Sequence, residues 1–285
     1  MKLGIVSPIV TANPGAHAAW EAEAGIAELA QVARTADRLG FDHMTCSEHV
    51  AVPGDAAAER GGTYWDPLAT FGHLAAVTEQ LRLMTQVLVI GYHHPLEIAK
   101  RYGTLDVVSN GRLVLGLGVG SLEEEFALLD RPFASRGARA DDALAALRAS
   151  LGRREPAYHG SDYEFDGFVV EPHAVQERVP LLIGGRTPRS LRRAIELGDG
   201  WVPFGLGSED LRTMLSAQDV PDGFEVVLSP GRMVDPTGDA EATIRRLTRL
   251  RAAGATLVST AVEATSVDHY CDQLEALASL AGEIS

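Results

Sequence analysis

The sequence predicts an α/β protein, a (β/α)8 TIM barrel with an inserted segment between strands four and five. Three observations carry that expectation. Eight short apolar runs alternate with stretches of helical periodicity. Most of the runs are continuous rather than alternating, as strands buried on both faces require. The length, 285 residues, is ordinary for one barrel domain. A doubly wound open sheet is the runner-up on the same pattern. No linker or repeat divides the chain, so one domain spanning 1–285 is expected.

The runs are Leu3–Ser7, Phe41–Cys46, Leu81–Val89, Arg112–Val119, Pro180–Gly184, Gly200–Phe204, Phe224–Ser229 and Thr256–Ser259. Helical signals fall between them. Gly25–Leu39 sets Ile26, Leu29, Ala30, Ala33 and Ala36 on one stripe, and Gly40 supplies a stop. Asp66-Pro67 reads as a cap with proline in the first turn, opening a helix through Ala76. Pro95 opens another through Val108, and Thr187-Pro188 repeats the cap-plus-proline signal. Asp239 to Ala253 and Ser266 to Leu280 complete the set. The insertion, Gly152–Val179, contains a hairpin from Tyr158 to Phe165 around a Gly-Ser turn. A second interruption, Val50–Tyr64, follows strand two and is a candidate lid, because βα loops lie at the mouth of a barrel.

Composition narrows the function. Asp and Glu number 39 against 25 Lys and Arg, a formal charge of −14. That opposes nucleic-acid binding, which needs clustered cations, but leaves room for a small anionic ligand. No apolar run approaches the ~20 residues of a membrane span. The N-terminus resembles a first strand rather than a signal peptide. Cys46 and Cys271 cannot form a disulfide framework, so a cytoplasmic setting is expected.

Active sites of such barrels lie at the C-terminal ends of strands. Strand two ends in Ser47-Glu48-His49, a carboxylate and an imidazole where proton transfer would be needed; a surface pair in a loop is the plain alternative. Strand four runs into Gly116-Leu117-Gly118-Val119-Gly120-Ser121 and then Glu123-Glu124-Glu125. These glycines either admit a flat ligand or pack tightly at the rim, and the spacing fails the dinucleotide fingerprint. The glutamates also suit a solvated first helical turn. Strand five ends in Gly184-Gly185-Arg186-Thr187-Pro188, where free amides at a helix start suit a phosphate. Arg189, Arg192 and Arg193 read as a solvated face of that helix. His93-His94 is a poor chelating pair, because neighbours in extended chain point apart, and no metal site is expected. Cys46 reads as a packed thiol.

Several segments together resemble the luciferase-like flavin-dependent superfamily, and its deazaflavin branch more than its monooxygenase branch. They are Leu39-Gly40-Phe41-Asp42 with Ser47-Glu48-His49, Asp66-Pro67-Leu68, Leu81-Arg82-Leu83-Met84-Thr85, His94-Pro95-Leu96-Glu97, Ser109-Asn110-Gly111-Arg112 through Gly120, Ile183-Gly184-Gly185-Arg186-Thr187-Pro188 and Leu197-Gly198-Asp199-Gly200-Trp201. They run in order from about residue 25 to residue 205, and the match is thin beyond. The resemblance implies a barrel with an insertion and a homodimer. It implies an oxidoreductase that moves hydride between coenzyme F420 and a small organic substrate. A reduced-FMN-dependent monooxygenase and a non-catalytic cofactor-binding protein are the alternatives. It maps acid/base work onto His49, with Glu48 orienting it, and a second acid onto Glu123, with Glu124 and Glu125 leaving the register open. Cofactor contacts map to Gln86, Val87, Gly118, Gly120, Ser121, Gly184, Gly185, Arg186 and Thr187, with a non-proline cis peptide at Gln86-Val87.

Overall fold

The computed structural model describes residues 1–14 and 17–284. In chain order its elements are β1 (Lys2–Val6), α1 (Ile26–Arg38), β2 (His43–Cys46), the single turn α2 (Ala57–Arg60), α3 (Pro67–Ala75), β3 (Arg82–Thr85), β4 (Leu88–Val89), α4 (Pro95–Val108), β5 (Leu113–Gly118), α5 (Glu123–Leu128), α6 (Arg136–Ser150), β6 (Tyr158–His159), β7 (Glu164–Phe165), β8 (Leu181–Gly184), α7 (Pro188–Leu197), β9 (Gly200–Val202), α8 (Ser208–Ser216), β10 (Glu225–Leu228), α9 (Ala240–Ala252), β11 (Leu257–Thr260) and α10 (Val267–Leu280).

All pairings of the large sheet are parallel, and the sheet closes on itself. β1 pairs with β2 on one side and β11 on the other. The ring continues through β3, β5, β8, β9 and β10. β3 and β4 are two pieces of one barrel strand, broken at Gln86-Val87, where the peptide bond is cis. The expected strand over Leu81–Val89 is therefore interrupted. This is the eight-membered barrel, with β6 and β7 as a separate antiparallel hairpin in the insertion.

Parallel neighbours cannot be joined by a tight turn, so each crossover carries a helix packed outside the ring. The helix starts follow local chemistry. Asp66 accepts from Ala69 N at 2.8 Å with Pro67 behind it, Thr187 accepts from Ser190 N at 3.2 Å, and Asp239 accepts from Ala242 N at 2.9 Å. α8 was not anticipated: only Leu211 is buried on it, too little apolar stripe to register as a helical period. The insertion is pinned to α6 by Asp142, which accepts from Tyr158 OH at 2.7 Å and from the amides of Ser161, Asp162 and Tyr163.

Trp201, Phe71 and Phe126 are the largest fully buried side chains. Inside the barrel, Met84, Val114, Leu182, Val202, Val227 and Leu257 form a separate apolar cluster. The imidazole of His43 also lies within the ring, because β1 presents a glycine to it: a Cβ on Gly4 would come within 2.3 Å of that ring. His43 Nδ1 lies 3.0 Å from Asp42, at the N-terminal end of the barrel, where Asp42 also meets Lys2 and Arg82. Its Nε2 lies 2.9 Å from Ser259 Oγ on β11.

The Ser109-Asn110-Gly111-Arg112 segment has a structural role. The buried Arg112 guanidinium donates to the carbonyls of Ser109, Leu81, Ala75 and Thr78 and to Thr78 Oγ1, at 2.7 to 3.0 Å. It ties the end of α4 to the turn that feeds β3. Replacing it by leucine strands five acceptors in the interior. Arg112→Leu is expected to lower the unfolding free energy by about 3 kcal/mol or more, measured by urea denaturation. A loss under about 1 kcal/mol would show that these carbonyls find water instead.

Candidate active site

A cavity of about 1110 Å³ opens where the barrel strands end. His49 and Glu48 both line it, in the loop after β2, as the sequence anticipates. They do not orient each other. Glu48 is buried, and its Oε1 lies 2.7 Å from His93 Nε2 while its Oε2 accepts from Val89 N at 2.8 Å. Burial pushes the His93 pKa down, but the bond to Glu48 and its charge outweigh this and leave it raised.

His49 is oriented by Glu125. The side chain of Glu125 is fully buried at the start of α5, and its Oε2 lies 2.7 Å from His49 Nδ1. The same oxygen accepts from Tyr92 OH at 2.7 Å, and Oε1 accepts from the amides of Val50 at 2.6 Å and Ala51 at 3.2 Å. Glu123 and Glu124 are exposed. The carboxylate of the triplet that contacts His49 is therefore that of Glu125, while Glu123, onto which the resemblance maps the acid, is exposed on α5. Helical phase decides it: with Leu122 and Phe126 buried, α5 turns the third glutamate inward and the first outward. Burial raises the Glu125 pKa, yet the bonds from Tyr92, His49, Ala51 and Val50 hold it below its ordinary value. Burial and Glu125 together push the Tyr92 phenol up. With its Nδ1 engaged, His49 lines the cavity, and Tyr64 packs edge-on against the ring at 4.5 Å between centroids. Tyr64 belongs to the long loop after β2, which is anchored by a bridge between Tyr64 and Thr11.

Gln86 and Val87 line the cavity beside them. Ser259 donates to Gln86 Oε1 and Ser47 to the Gln86 carbonyl, both at 2.9 Å. The Gln86 side chain is thus the mouth end of the Asp42–His43–Ser259 chain of contacts through the barrel. Its oxygen is engaged and its NH2 group is left for a ligand.

The strand-four glycines serve packing first. Val87 fills the space that a Cβ on Gly118 would need, and Phe126 does so at Gly120. Gly118, Gly120 and Ser121 still line the cavity. At the β8–α7 turn, Gly184, Gly185, Arg186 and Thr187 line it too, but most amides there are spent internally. Gly185 N donates to Val202 O at 3.3 Å and Thr187 N to Ser190 Oγ at 3.0 Å. Gly185 has φ 144° and a Cβ there would strike Ser190, so a bulky substitution would damage the turn before it tested a ligand. Arg186 remains the cation of this turn. Arg193 corrects the expected solvated face: it is buried, bonded to Asp141 and to Gly137 O, and lines the cavity, while Arg189 and Arg192 are exposed. His94 caps α4, accepting from Leu96 N at 3.1 Å, so the two adjacent histidines diverge. Cys46 is buried, with its thiol pushed up to about 12 by burial.

The Glu125 cluster sets a pH dependence. A carboxyl held below its ordinary value of 4.5 stabilises the fold above that value and loses the contribution as pH falls through the depressed one. In Glu125→Gln, an amide NH2 must face one pair of donors. Stability at pH 7 is expected to fall by about 1–3 kcal/mol. The gap between parent and variant should narrow as pH drops below 4.5 in urea unfolding. A gap that stays constant would remove the carboxylate charge as its cause.

The model of the family described as luciferase-like monooxygenase matches residues 1–229. A protein of Mycobacterium tuberculosis is 27% identical over 197 residues, 65% of this chain and 68% of its own length. An F420-dependent glucose-6-phosphate dehydrogenase of Microbacterium testaceum is 28% identical over 200 residues, 69% of this chain and 58% of its own length. Among solved structures, an F420-dependent secondary alcohol dehydrogenase superposes with a TM-score of 0.77 at 14% identity, covering 100% of this chain and 99% of the other, a likeness of fold. With four-fifths of the chain inside the family match and the strand-end site built as described, the protein belongs to the luciferase-like monooxygenase family.

Proposed function

We propose that the protein is an oxidoreductase transferring hydride between the deazaflavin coenzyme F420 and a small organic substrate. The observation that carries this reading is the buried Glu125 holding His49 at a cavity wide enough for a tricyclic ring. The similarity to a dehydrogenase named as F420-dependent supports the choice of cofactor. The lining fits such a group. Val87 and Val89 offer apolar wall, Gln86 offers an amide donor, and arginines offer cations for the phosphodiester and carboxylates of the tail. When bound, the deazaflavin supplies a two-electron hydride carrier.

The chain's own residues then have distinct work. Glu125 fixes the ring of His49 and neutralises an imidazolium if one forms. His49 exchanges a proton with substrate through the nitrogen that Glu125 leaves free. Glu48 with His93, and Gln86 with Ser259, hold the polar rim in place. Gly184–Thr187, through Arg186, is our assignment for the cofactor phosphate, with Gly118, Gly120 and Ser121 as neighbouring wall. Among the described residues no helix is long and apolar enough to cross a membrane, and no group of His, Cys, Asp and Glu could hold a metal ion. We assign the protein to the cytoplasm, where the free thiols Cys46 and Cys271 stay reduced, and to a homodimer, testable by light scattering.

The family description favours one further reading, a reduced-FMN-dependent monooxygenase. Titration with F420 and FMN in parallel separates the two. F420 is expected to bind more tightly, and equal or reversed affinities would transfer the protein to the monooxygenase reading. At saturating cofactor, His49→Ala is expected to lower turnover at least about tenfold with an unchanged circular-dichroism spectrum. A folded, saturated variant that turns over like the parent would make His49 structural.

A further inference from the structure

The cavity is lined by six arginines and a single carboxylate residue, Glu48, which is already bonded to His93. This occurs in a chain of net charge −14, where acid is abundant everywhere else. Outside the cavity Arg38, Arg82, Arg139, Arg148 and Arg178 meet carboxylates. Arg193 in the cavity pairs with Asp141. Among the described residues Arg232, Arg246 and Arg249 have no carboxylate within ion-pair distance. They sit together at the loop after β10 and on α9.

α9 shows how they are placed. Arg246 and Arg249 are three residues apart and share a face with Leu250, and all three line the cavity. Arg245, one position away, pairs outward with Glu241 at 3.2 Å. Arg246 also donates to Met233 O at 3.3 Å, which ties the helix to the loop bearing Arg232. The helix dipole favours a cation at Arg249, in the last turn of α9, but does nothing for Arg246 or Arg232. The β8–α7 turn, separated from this group by β9, spends the amide of Gly185 on Val202 O and that of Thr187 on its own cap. The unpaired cations this cavity offers an anion include Arg186 at that turn and Arg232, Arg246 and Arg249 beyond β9.

We propose that Arg232, Arg246 and Arg249 form a second anion-binding subsite, distinct from Arg186, that takes a carboxylate or phosphate ester. The anion belongs either to the substrate or to the acidic tail of the cofactor; the naming of these two sources rests on the oxidoreductase reading, the subsite itself does not. Its affinity comes from charge-assisted bidentate bonds. Arg232 and Arg249 are exposed, so added salt weakens it. In a protein of this net charge, the same group draws an anion in against the overall field.

The test is calorimetric titration with inorganic phosphate of the cofactor-free and the F420-loaded protein. The parent is compared with Arg246→Gln/Arg249→Gln and with Arg186→Gln, each checked for an unchanged melting curve. Exposed or half-exposed arginines on a helix leave folding intact when replaced by glutamine. The parent is expected to bind phosphate in a salt-dependent way, and the double variant at least about tenfold more weakly. Phosphate binding that persists in the F420-loaded parent assigns the subsite to the substrate. Binding abolished by loading, with tailed F420 weakened in the double variant and its tail-free chromophore alcohol unaffected, assigns the subsite to the cofactor tail. Both uphold the proposal. Phosphate affinity unchanged in the double variant, or lost only in Arg186→Gln, overturns it. A parent that binds phosphate through these arginines but does not bind F420 would sink the cofactor reading alone.

Discussion

The mouth of this barrel depends on burying one carboxylate. An isolated carboxylate taken out of water costs many kcal/mol, so Glu125 is tolerable only with its lone pairs filled. Four donors from two places fill them: His49 and the amides of Val50 and Ala51 from the loop after β2, and Tyr92 from the turn after β4. Satisfying one charge thus fixes the start of the long β2 loop, the rotamer of a cavity histidine and the angle at which α5 leaves β5. Because the carboxylate is saturated, it orients and stabilises. It is poorly placed to deliver a proton to anything in the cavity.

A second polar thread complements it from below. His43 lies inside the ring between Asp42 at the N-terminal end and Ser259 on β11, and Ser259 donates to Gln86. Barrel interiors are ordinarily filled by branched apolar side chains. Here the Met84–Leu257 cluster does that only in part, and the missing side chain at Gly4 is replaced by an imidazole from the neighbouring strand. Buried polar groups need partners, so this thread runs until it reaches a carboxyl at one end and the cavity at the other. This thread positions the Gln86 side chain at the mouth.

The fold was legible because its signals are local. The runs at Leu3, Phe41, Arg112, Pro180 and Phe224 and the caps at Asp66, Thr187, Asp239 and Ser266 each depend on a few adjacent residues, and each lies within a residue or two of the observed element. The site was legible at the level of strand ends: Glu48, His49, Gln86, Val87 and the β8–α7 turn all line the cavity. Its pairings were not. Three consecutive glutamates share one composition, and only the phase of α5 against the barrel selects Glu125. Glu48 and His93 stand 45 residues apart, and neither spacing nor chemistry names them as partners. Arg193 read as solvated because Leu191 and Ile195 mark the buried face of α7, whereas Asp141 on α6 makes its burial tolerable. For Gly118 and Gly120 ligand approach and packing stayed equally open in the sequence, because the bulk they admit, Val87 and Phe126, comes from other segments.

Charge distribution links these parts. The fold places its excess of acid on the outside, where repulsion between carboxylates is screened by water and salt. At the mouth the two carboxylates that remain, Glu48 and Glu125, are each consumed by histidines, a tyrosine hydroxyl and backbone amides. What the cavity shows to a ligand is therefore donors: the Gln86 NH2 group, the free face of His49 and the guanidinium rim. Such a surface favours ligands that bring or develop negative charge, and His49 and Gln86 meet them without reorganising, because each is already held by a partner behind it. Glu48 and Glu125 can stay beside His93 and His49 because protein donors have already taken their oxygens.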